Sequence, residues 1–94
     1  MGAEPHEAAG GHAAMISRIR SAKFRTVRFR PGYDDREVDE FLDRLIAALS
    51  GQGPLDPALV RDRSFSLTRW RPGYVQADVQ ALLDDVQRFA EGHR

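Results

Sequence analysis

Two copies of one five-residue stretch decide the fold: Phe29-Arg30-Pro31-Gly32-Tyr33 and, 41 positions later, Trp70-Arg71-Pro72-Gly73-Tyr74. Each copy places an aromatic ring and an arginine directly before a Pro-Gly pair. Because proline fixes φ at about −65° and glycine accepts positive φ, each copy predicts a type II turn with proline and glycine at its two central positions. We expect this turn to reverse the chain and to leave the aromatic-arginine pair at its tip.

A stretch with helical apolar spacing follows each copy. The apolar positions after the first copy form one stripe over three turns, and a matching stripe follows the second copy. The two stripes comprise Val38, Phe41, Leu42, Leu45, Ile46 and Leu49, and Val75, Val79, Leu82, Leu83, Val86 and Ala90. Asp34 lies three residues before Glu37, which is close to a capping box and predicts a helix that begins at Asp35. Ser50 to Pro54 predict the end of that helix, with glycine for a left-handed cap and proline to stop it.

Each half also begins with a short helix and an extended segment. In the first half, the spacing of Ile16 and Ile19 predicts a short helix over residues 15–22, and the β-branched and aromatic residues of 24–29 predict extended backbone. In the second half, Asp56 and Pro57 indicate a helix start, with an N-cap and then proline at the first helical position. Residues 65–70 form the second extended segment.

Many positions are identical when the halves are aligned at the offset of 41 residues. They include Phe24/Phe65, Arg28/Arg69, Arg30/Arg71, Pro31/Pro72, Gly32/Gly73, Tyr33/Tyr74, Val38/Val79, Leu42/Leu83 and Asp43/Asp84. One unit of short helix, extended segment, Pro-Gly turn and longer helix leaves its apolar stripe uncovered, whereas two units cover each other. The sequence therefore predicts a mainly α domain with short extended segments, built from two pseudo-twofold-related repeats. We assign residues 1–14 to a disordered leader, 15–50 to the first repeat, 51–54 to a linker and 55–92 to the second repeat.

Composition and length exclude several classes of protein. The chain of 94 residues has no cysteine, so a disulfide framework and thiolate metal sites are absent. No apolar run approaches the roughly 20 residues of a spanning helix, which predicts a soluble, cytoplasmic protein. His6, His12 and His93 have no spacing that suits a metal site or a base and nucleophile pair. We therefore expect no enzyme, cofactor, metal or small-molecule substrate, while self-association of so small a domain is plausible.

Charge is distributed unevenly around each turn. The 14 basic and 14 acidic residues balance, but the segment before each turn is basic and the segment after it is acidic. A basic stretch over residues 18–30 raises the alternative of a nucleic-acid binder. The near-neutral isoelectric point and the adjacent acids argue against that alternative.

The first repeat resembles a known family. Phe24 and the run Arg30-Pro31-Gly32-Tyr33-Asp34-Asp35-Arg36-Glu37-Val38-Asp39-Glu40-Phe41-Leu42-Asp43 are similar to the N-terminal domain of DivIVA proteins, the bacterial polar and septal scaffolds. The second repeat is similar more weakly. The resemblance implies a dimeric domain that binds membrane through an exposed Phe-Arg pair just before Gly-Tyr, and here that pair is Phe29 with Arg30 and Trp70 with Arg71. Both copies insert a proline before the glycine, and no heptads follow Leu49, so the chain resembles a tandem member in which two repeats replace the dimer.

The aromatic-arginine tips are therefore the expected binding site. The binding residues are Phe29, Arg30, Trp70, Arg71, Arg28 and Arg69, and the residues that shape the turns are Pro31, Gly32, Tyr33, Pro72, Gly73 and Tyr74. We expect a partner that is either an anionic membrane surface, at the inner face of the cell membrane, or a cell-division or polarity protein. The alternatives left open are an interaction adaptor that contacts no lipid, and a core role in which the two rings clamp the extended segments to the helices.

Overall fold

The computed structural model describes residues 7–51 and 54–92, with side chains from residue 11 onward. Within these residues the chain forms four helices and one small antiparallel sheet. In chain order the elements are α1 (Glu7–Ser21), β1 (Thr26–Val27), β2 (Gly32–Tyr33), α2 (Asp35–Ser50), α3 (Pro57–Arg61), β3 (Leu67–Thr68), β4 (Gly73–Tyr74) and α4 (Gln76–Gly92). The prediction of a mainly helical domain with short extended segments is confirmed.

The first helix begins earlier than the sequence indicated. Because α1 starts at Glu7, the prediction of a disordered leader over residues 1–14 is wrong for residues 7–14, and residues 1–6 lie outside the described part. His12 is buried, and its ring meets the edge of the Phe89 ring with 5.3 Å between centroids. Arg18 pairs with Asp85 on α4. Packing against α4 supports the early turns of α1, whose alanines and glycines carry no apolar period.

The starts of α2 and α3 follow the sequence, but the end of α2 does not. The Asp34 carboxylate accepts the backbone N–H groups of Arg36 at 2.9 Å and Glu37 at 3.3 Å, so α2 begins at Asp35 as predicted. Asp56 caps α3 in the same way through the N–H of Ala58 at 2.9 Å. The left-handed cap predicted at the end of α2 is not at Gly51, which has φ −74° and continues the right-handed geometry, and Gly53 lies outside the described residues.

One apolar core joins both helical stripes to the short helices. The stripes of α2 and α4 are buried apart from the half-buried Ile46 and Val75. The buried apolar set is Ile19, Val38, Phe41, Leu42, Leu45, Leu49, Leu55, Val60, Val79, Leu82, Leu83, Val86 and Ala90. Since this set draws on all four helices, the core spans both halves of the chain.

The sheet pairs each half with the other. Its strand order is β1-β4-β2-β3 with every pair antiparallel, and Tyr33 lies opposite Tyr74 at the centre. Both β1 and β2 are antiparallel to β4, so the two strands run in the same direction. The prediction that each Pro-Gly pair reverses the chain is therefore wrong. The segment between β1 and β2 bends outward, and β2 then continues in the direction of β1.

The Pro-Gly pairs do not form type II turns. A type II turn needs positive φ at its glycine, and no glycine of the described residues has positive φ. The bends instead lie at residues 28–30 and 69–71, before the prolines. Phe29, with φ 69°, is the one non-glycine residue in the described chain that adopts the left-handed region.

The glycines are required for a different reason, which is the close crossing of β2 and β4. A Cβ on Gly32 would lie 2.9 Å from Val27 Cγ1 and 3.0 Å from the Tyr74 carbonyl oxygen. A Cβ on Gly73 would lie 2.8 Å from Thr68 Cγ2 and 2.9 Å from the Tyr33 carbonyl oxygen. Because carbonyl oxygens of the crossing strand are fixed, only glycine fits either position without displacing the backbone.

Candidate functional site

The two bends lie side by side and expose both aromatic rings. The Phe29 side chain is 66% exposed and the Trp70 side chain 78% exposed. The Phe29 backbone N–H donates to the Arg69 carbonyl oxygen at 2.8 Å, which joins one bend directly to the other. We call this region the tip surface, and it comprises Arg28, Phe29, Arg30 and Pro31 with Arg69, Trp70, Arg71 and Pro72.

Another aromatic in each extended segment fills the inner position. Phe24 packs on Tyr74 with ring centroids 5.0 Å apart, and Phe65 packs on Tyr33 at 5.2 Å. Both phenylalanines are half-buried against the core. The alternative in which Phe29 and the equivalent tryptophan clamp the sheet to the helices is therefore wrong, because the phenylalanine five residues earlier in each half already does so.

Three arginines of the tip surface have no acidic partner among the described residues. The Arg28 guanidinium carbon lies 5.9 Å from the centroid of the Phe29 ring. Arg30 and Arg69 are exposed, and neither forms an ion pair with any described residue. Positive charge thus surrounds two exposed rings.

Arg71 differs from the other tip arginines because it is already paired. Its guanidinium donates to Asp34 Oδ2 at 2.5 Å and lies 3.6 Å from Asp35 Oδ1. Desolvation opposes ionisation of Asp34, but the N–H of Glu37 and the Arg71 guanidinium outweigh it and lower the pKa of that carboxyl below its usual value. The position equivalent to Asp34 in the second half is Val75, so Arg30 meets no such carboxylate.

The two tyrosines of the motif connect the halves. The Tyr74 hydroxyl donates to Asp39 Oδ1 at 2.9 Å, and Gln80 Nε2 donates to the Tyr33 hydroxyl oxygen at 2.6 Å. Desolvation of Tyr74, together with the Asp39 carboxylate, raises its pKa to about 12. Both hydroxyls thus bond to a side chain of the opposite half.

Sequence reasoning missed one pair of contacts that holds the halves together. The backbone N–H of Arg25 donates to Asp78 Oδ2 at 2.9 Å, and the backbone N–H of Ser66 donates to Glu37 Oε1 at 2.7 Å. The Arg25 side chain adds two bonds to the same carboxylate, and together these hydrogen bonds lower the pKa of Asp78 to about 2. Both acids stand three residues into their helices at the offset of 41, which is the signal that would have identified them.

The described residues contain neither a metal cluster nor a membrane-spanning helix. Among the described residues, no group of three His, Cys, Asp or Glu side chains is arranged to hold a metal ion. The helices of the described ranges are all too short or too polar to cross a bilayer. No protein-family model, curated protein or solved structure matches this chain.

Asp34 is expected to contribute twice, as the N-cap of α2 and as the partner of Arg71. Asp34→Ala removes both interactions and should lower the free energy of unfolding by about 1 to 2 kcal/mol. Asp34→Asn keeps a good N-cap and loses only the ion pair with the half-exposed Arg71, so it should cost about 1 kcal/mol or less and less than Asp34→Ala. Urea titration followed by circular dichroism measures both values, and equal losses for the two variants would contradict the capping role.

Proposed function

We propose that this chain is a non-enzymatic DivIVA-like module of cell division or polar growth that binds the inner face of the membrane peripherally. The observation that carries the proposal is the pair of exposed rings, Phe29 and Trp70, on adjacent bends with unpaired arginines beside them. The resemblance of the first half to DivIVA N-terminal domains supports the same reading. The cell membrane is then the expected location of the bound protein.

The proposal includes a specific architecture, in which two pseudo-twofold-related repeats replace a dimer. Matched bonds across the halves support it. The Asp34 N–H donates to the Ser66 carbonyl oxygen at 2.8 Å, and the Val75 N–H donates to the Arg25 carbonyl oxygen at 2.8 Å. Each donor and acceptor of the first bond has its counterpart 41 positions away in the second. Such an arrangement fixes both tips on one rigid body.

The free energy of membrane binding should be much more favourable with two tips than with one. An aromatic side chain removed from water contributes roughly 1.5 to 3 kcal/mol, and a basic residue near an anionic leaflet contributes about 1 kcal/mol. One tip alone gives weak binding. Because the bends are hydrogen-bonded to each other, insertion of Phe29 brings Trp70 to the same surface, and the second tip binds at a high effective concentration.

A second candidate function is that of a protein-interaction adaptor with no lipid contact. The observation that favours it is the outer face of α2, where Asp39, Glu40 and Asp43 are exposed. The acidic face could bind a basic partner, and the exposed rings could fill pockets on the same protein. Binding to pure lipid vesicles distinguishes the two functions, because an adaptor needs a protein partner.

The two tip arginines Arg30 and Arg71 form a matched pair for testing the electrostatic part of the proposal. Arg30→Gln removes a charge with no acidic partner and should weaken binding to vesicles with anionic lipid by about fivefold, the equivalent of about 1 kcal/mol. Arg71→Gln removes a charge that Asp34 already neutralises and should have a smaller effect. Cosedimentation at low and physiological salt measures both, and salt should weaken the wild type through screening.

Equal losses for Arg30→Gln and Arg71→Gln would contradict the unequal charge of the two tips. Binding that does not change with salt would contradict any role for the arginines. Binding to neutral vesicles as strong as to anionic ones would leave only the aromatic part of the proposal.

A further inference from the structure

A groove between the end of α1 and the outer side of α2 is separate from the tip surface. Its volume is about 640 Å³. Its apolar lining residues include Phe24, Leu42 and Ile46. Asp39 and Asp43 of α2 form one rim, and both are exposed. We call this feature the α1–α2 groove.

The equivalent place in the second half is filled by an arginine. Arg63 donates to the carbonyl oxygens of Val60 at 3.1 Å and Arg61 at 3.3 Å, at the end of α3. Its other terminal nitrogen donates to Gln80 Oε1 at 2.7 Å. The guanidinium therefore joins the end of α3 to α4. Gln80 also donates to the Tyr33 hydroxyl oxygen.

The first half keeps the acceptors of this arrangement and lacks the arginine. Ala22 stands at the position of Arg63, and Asp39 stands at the position of Gln80. The local backbone is alike, because the Ala22 N–H donates to the Ile19 carbonyl oxygen at 3.2 Å as the Arg63 N–H donates to the Val60 carbonyl oxygen at 3.4 Å. A carboxylate in place of an amide makes the first site the better acceptor for a cation.

The acceptors of the groove are suited to a guanidinium, although the charges of Asp39 and Asp43 are balanced by those of Arg20 and Lys23. Asp39 Oδ1 accepts from Tyr74, and the end of α1 contributes the partial negative charge of its carbonyl groups. Arg20 and Lys23 border the groove, but both are exposed and neither forms an ion pair with the described residues. In the second half Arg63 binds beside Arg61, the counterpart of Arg20, and Arg61 pairs there with Asp62 at 3.2 Å. Ser21 stands at the position of Asp62 in the first half, so an incoming guanidinium must displace the exposed side chain of Arg20.

We propose that the α1–α2 groove binds an arginine side chain of a partner protein, with the guanidinium between Asp39 and the carbonyl groups that end α1. The methylene groups of that arginine, and an apolar residue next to it in the partner, would lie over Leu42 and Ile46. The site is the acidic counterpart of the internal Arg63 site. It does not depend on the lipid proposal, since no residue of the tip surface takes part.

The test uses N-acetyl-arginine-amide as the probe and N-acetyl-citrulline-amide as its neutral match. We expect the arginine probe to shift the backbone NMR signals of Ala22, Asp39 and Asp43 with saturation in the millimolar range. The citrulline probe should bind at least fivefold more weakly. Equal shifts with both probes would overturn the proposal, because recognition would then not depend on the guanidinium charge.

Two variants locate the site. Ala22→Arg should place an internal guanidinium in the groove, raise the melting temperature and abolish the titration. Asp39→Asn keeps an acceptor for the Tyr74 hydroxyl and should weaken the probe at least fivefold. An unchanged titration in Asp39→Asn would overturn the proposal, even if Ala22→Arg failed to fold.

The chain itself offers exposed arginines, so a second copy must be distinguished from a different protein. Sedimentation velocity over a range of concentrations should show no self-association through the groove. Self-association that Ala22→Arg abolishes would overturn the assignment to a partner protein and make the occupant a second copy of this chain.

Discussion

The double substitution Phe29→Ala with Trp70→Ala is expected to lower the partition constant onto vesicles with anionic lipid by at least about 100-fold. Each ring removed from water contributes roughly 1.5 to 3 kcal/mol, and every 1.4 kcal/mol is a factor of ten in an equilibrium constant. Either single substitution should retain weak binding through the remaining ring. Vesicle cosedimentation at a fixed salt concentration measures the constants.

The control for this experiment is Leu59→Ala, which truncates another exposed apolar side chain. Leu59 is 40% exposed and lies on α3, outside the tip surface. The Leu59→Ala variant should bind vesicles as strongly as the wild type does. Because Phe29 and Trp70 are exposed, their truncation should leave the urea midpoint nearly unchanged. A folded double variant that sediments with vesicles as well as the wild type would show that the tips do not bind lipid.

Gly73→Ala is expected to destabilise the domain by about 2 to 3 kcal/mol or more, and Gly32→Ala should have a similar effect. The new methyl group would lie 2.9 Å (Gly73) or 3.0 Å (Gly32) from a carbonyl oxygen of the crossing strand, which is closer than van der Waals contact. Overpacked sites cost about 1 to 3 kcal/mol even where side chains are free to move. A domain of this kind has about 5 to 15 kcal/mol of stability in total. Urea unfolding measures the loss.

Gly92→Ala is the matched control for the glycine prediction. A Cβ at Gly92 meets nothing within 4 Å, and the residue ends α4. Alanine favours helix over glycine, so Gly92→Ala should leave stability unchanged or raise it slightly. If Gly73→Ala and Gly92→Ala were equally stable, the close crossing of β2 and β4 would be contradicted.

The sequence predicted the long helices because the forces that define them are local. The stripe from Val38 to Leu49 repeats with the helical period, and Asp34 and Asp56 are N-caps that bond to amides two or three residues away. Those signals are contained in each segment. The first turns of α1 carry no such period, since alanine and glycine fill them, and the contact that supports them is with the other end of the chain.

The strands and the role of the glycines were not predictable in the same way. Strands of two residues have no period to detect, and their partners lie in the opposite half. The Pro-Gly pair therefore predicted a type II turn that does not form, because the prediction assumed that glycine is needed for a positive φ. The actual constraint on Gly32 and Gly73 is the space between β2 and β4, which exists only after both halves have folded.

The sequence predicted part of the candidate site. Phe24 and Phe29 are separated by five residues and so point to opposite faces of extended backbone, which indicates one inner and one outer ring without saying which is which. Packing decides it, because Phe24 contacts Tyr74 from the opposite half. The difference between Arg30 and Arg71 arises in the same way, since the carboxylate that pairs with Arg71 belongs to the other half of the chain.

Trp70 is the single tryptophan of the chain, so its fluorescence tests the central claim most directly. In buffer the exposed indole should emit as it does in water. Adding vesicles with anionic lipid should move the emission to shorter wavelength, and acyl chains brominated near the headgroup should quench it. An emission spectrum that stays unchanged and unquenched, under conditions where the protein cosediments with the vesicles, would show that the indole stays out of the lipid and would contradict the account.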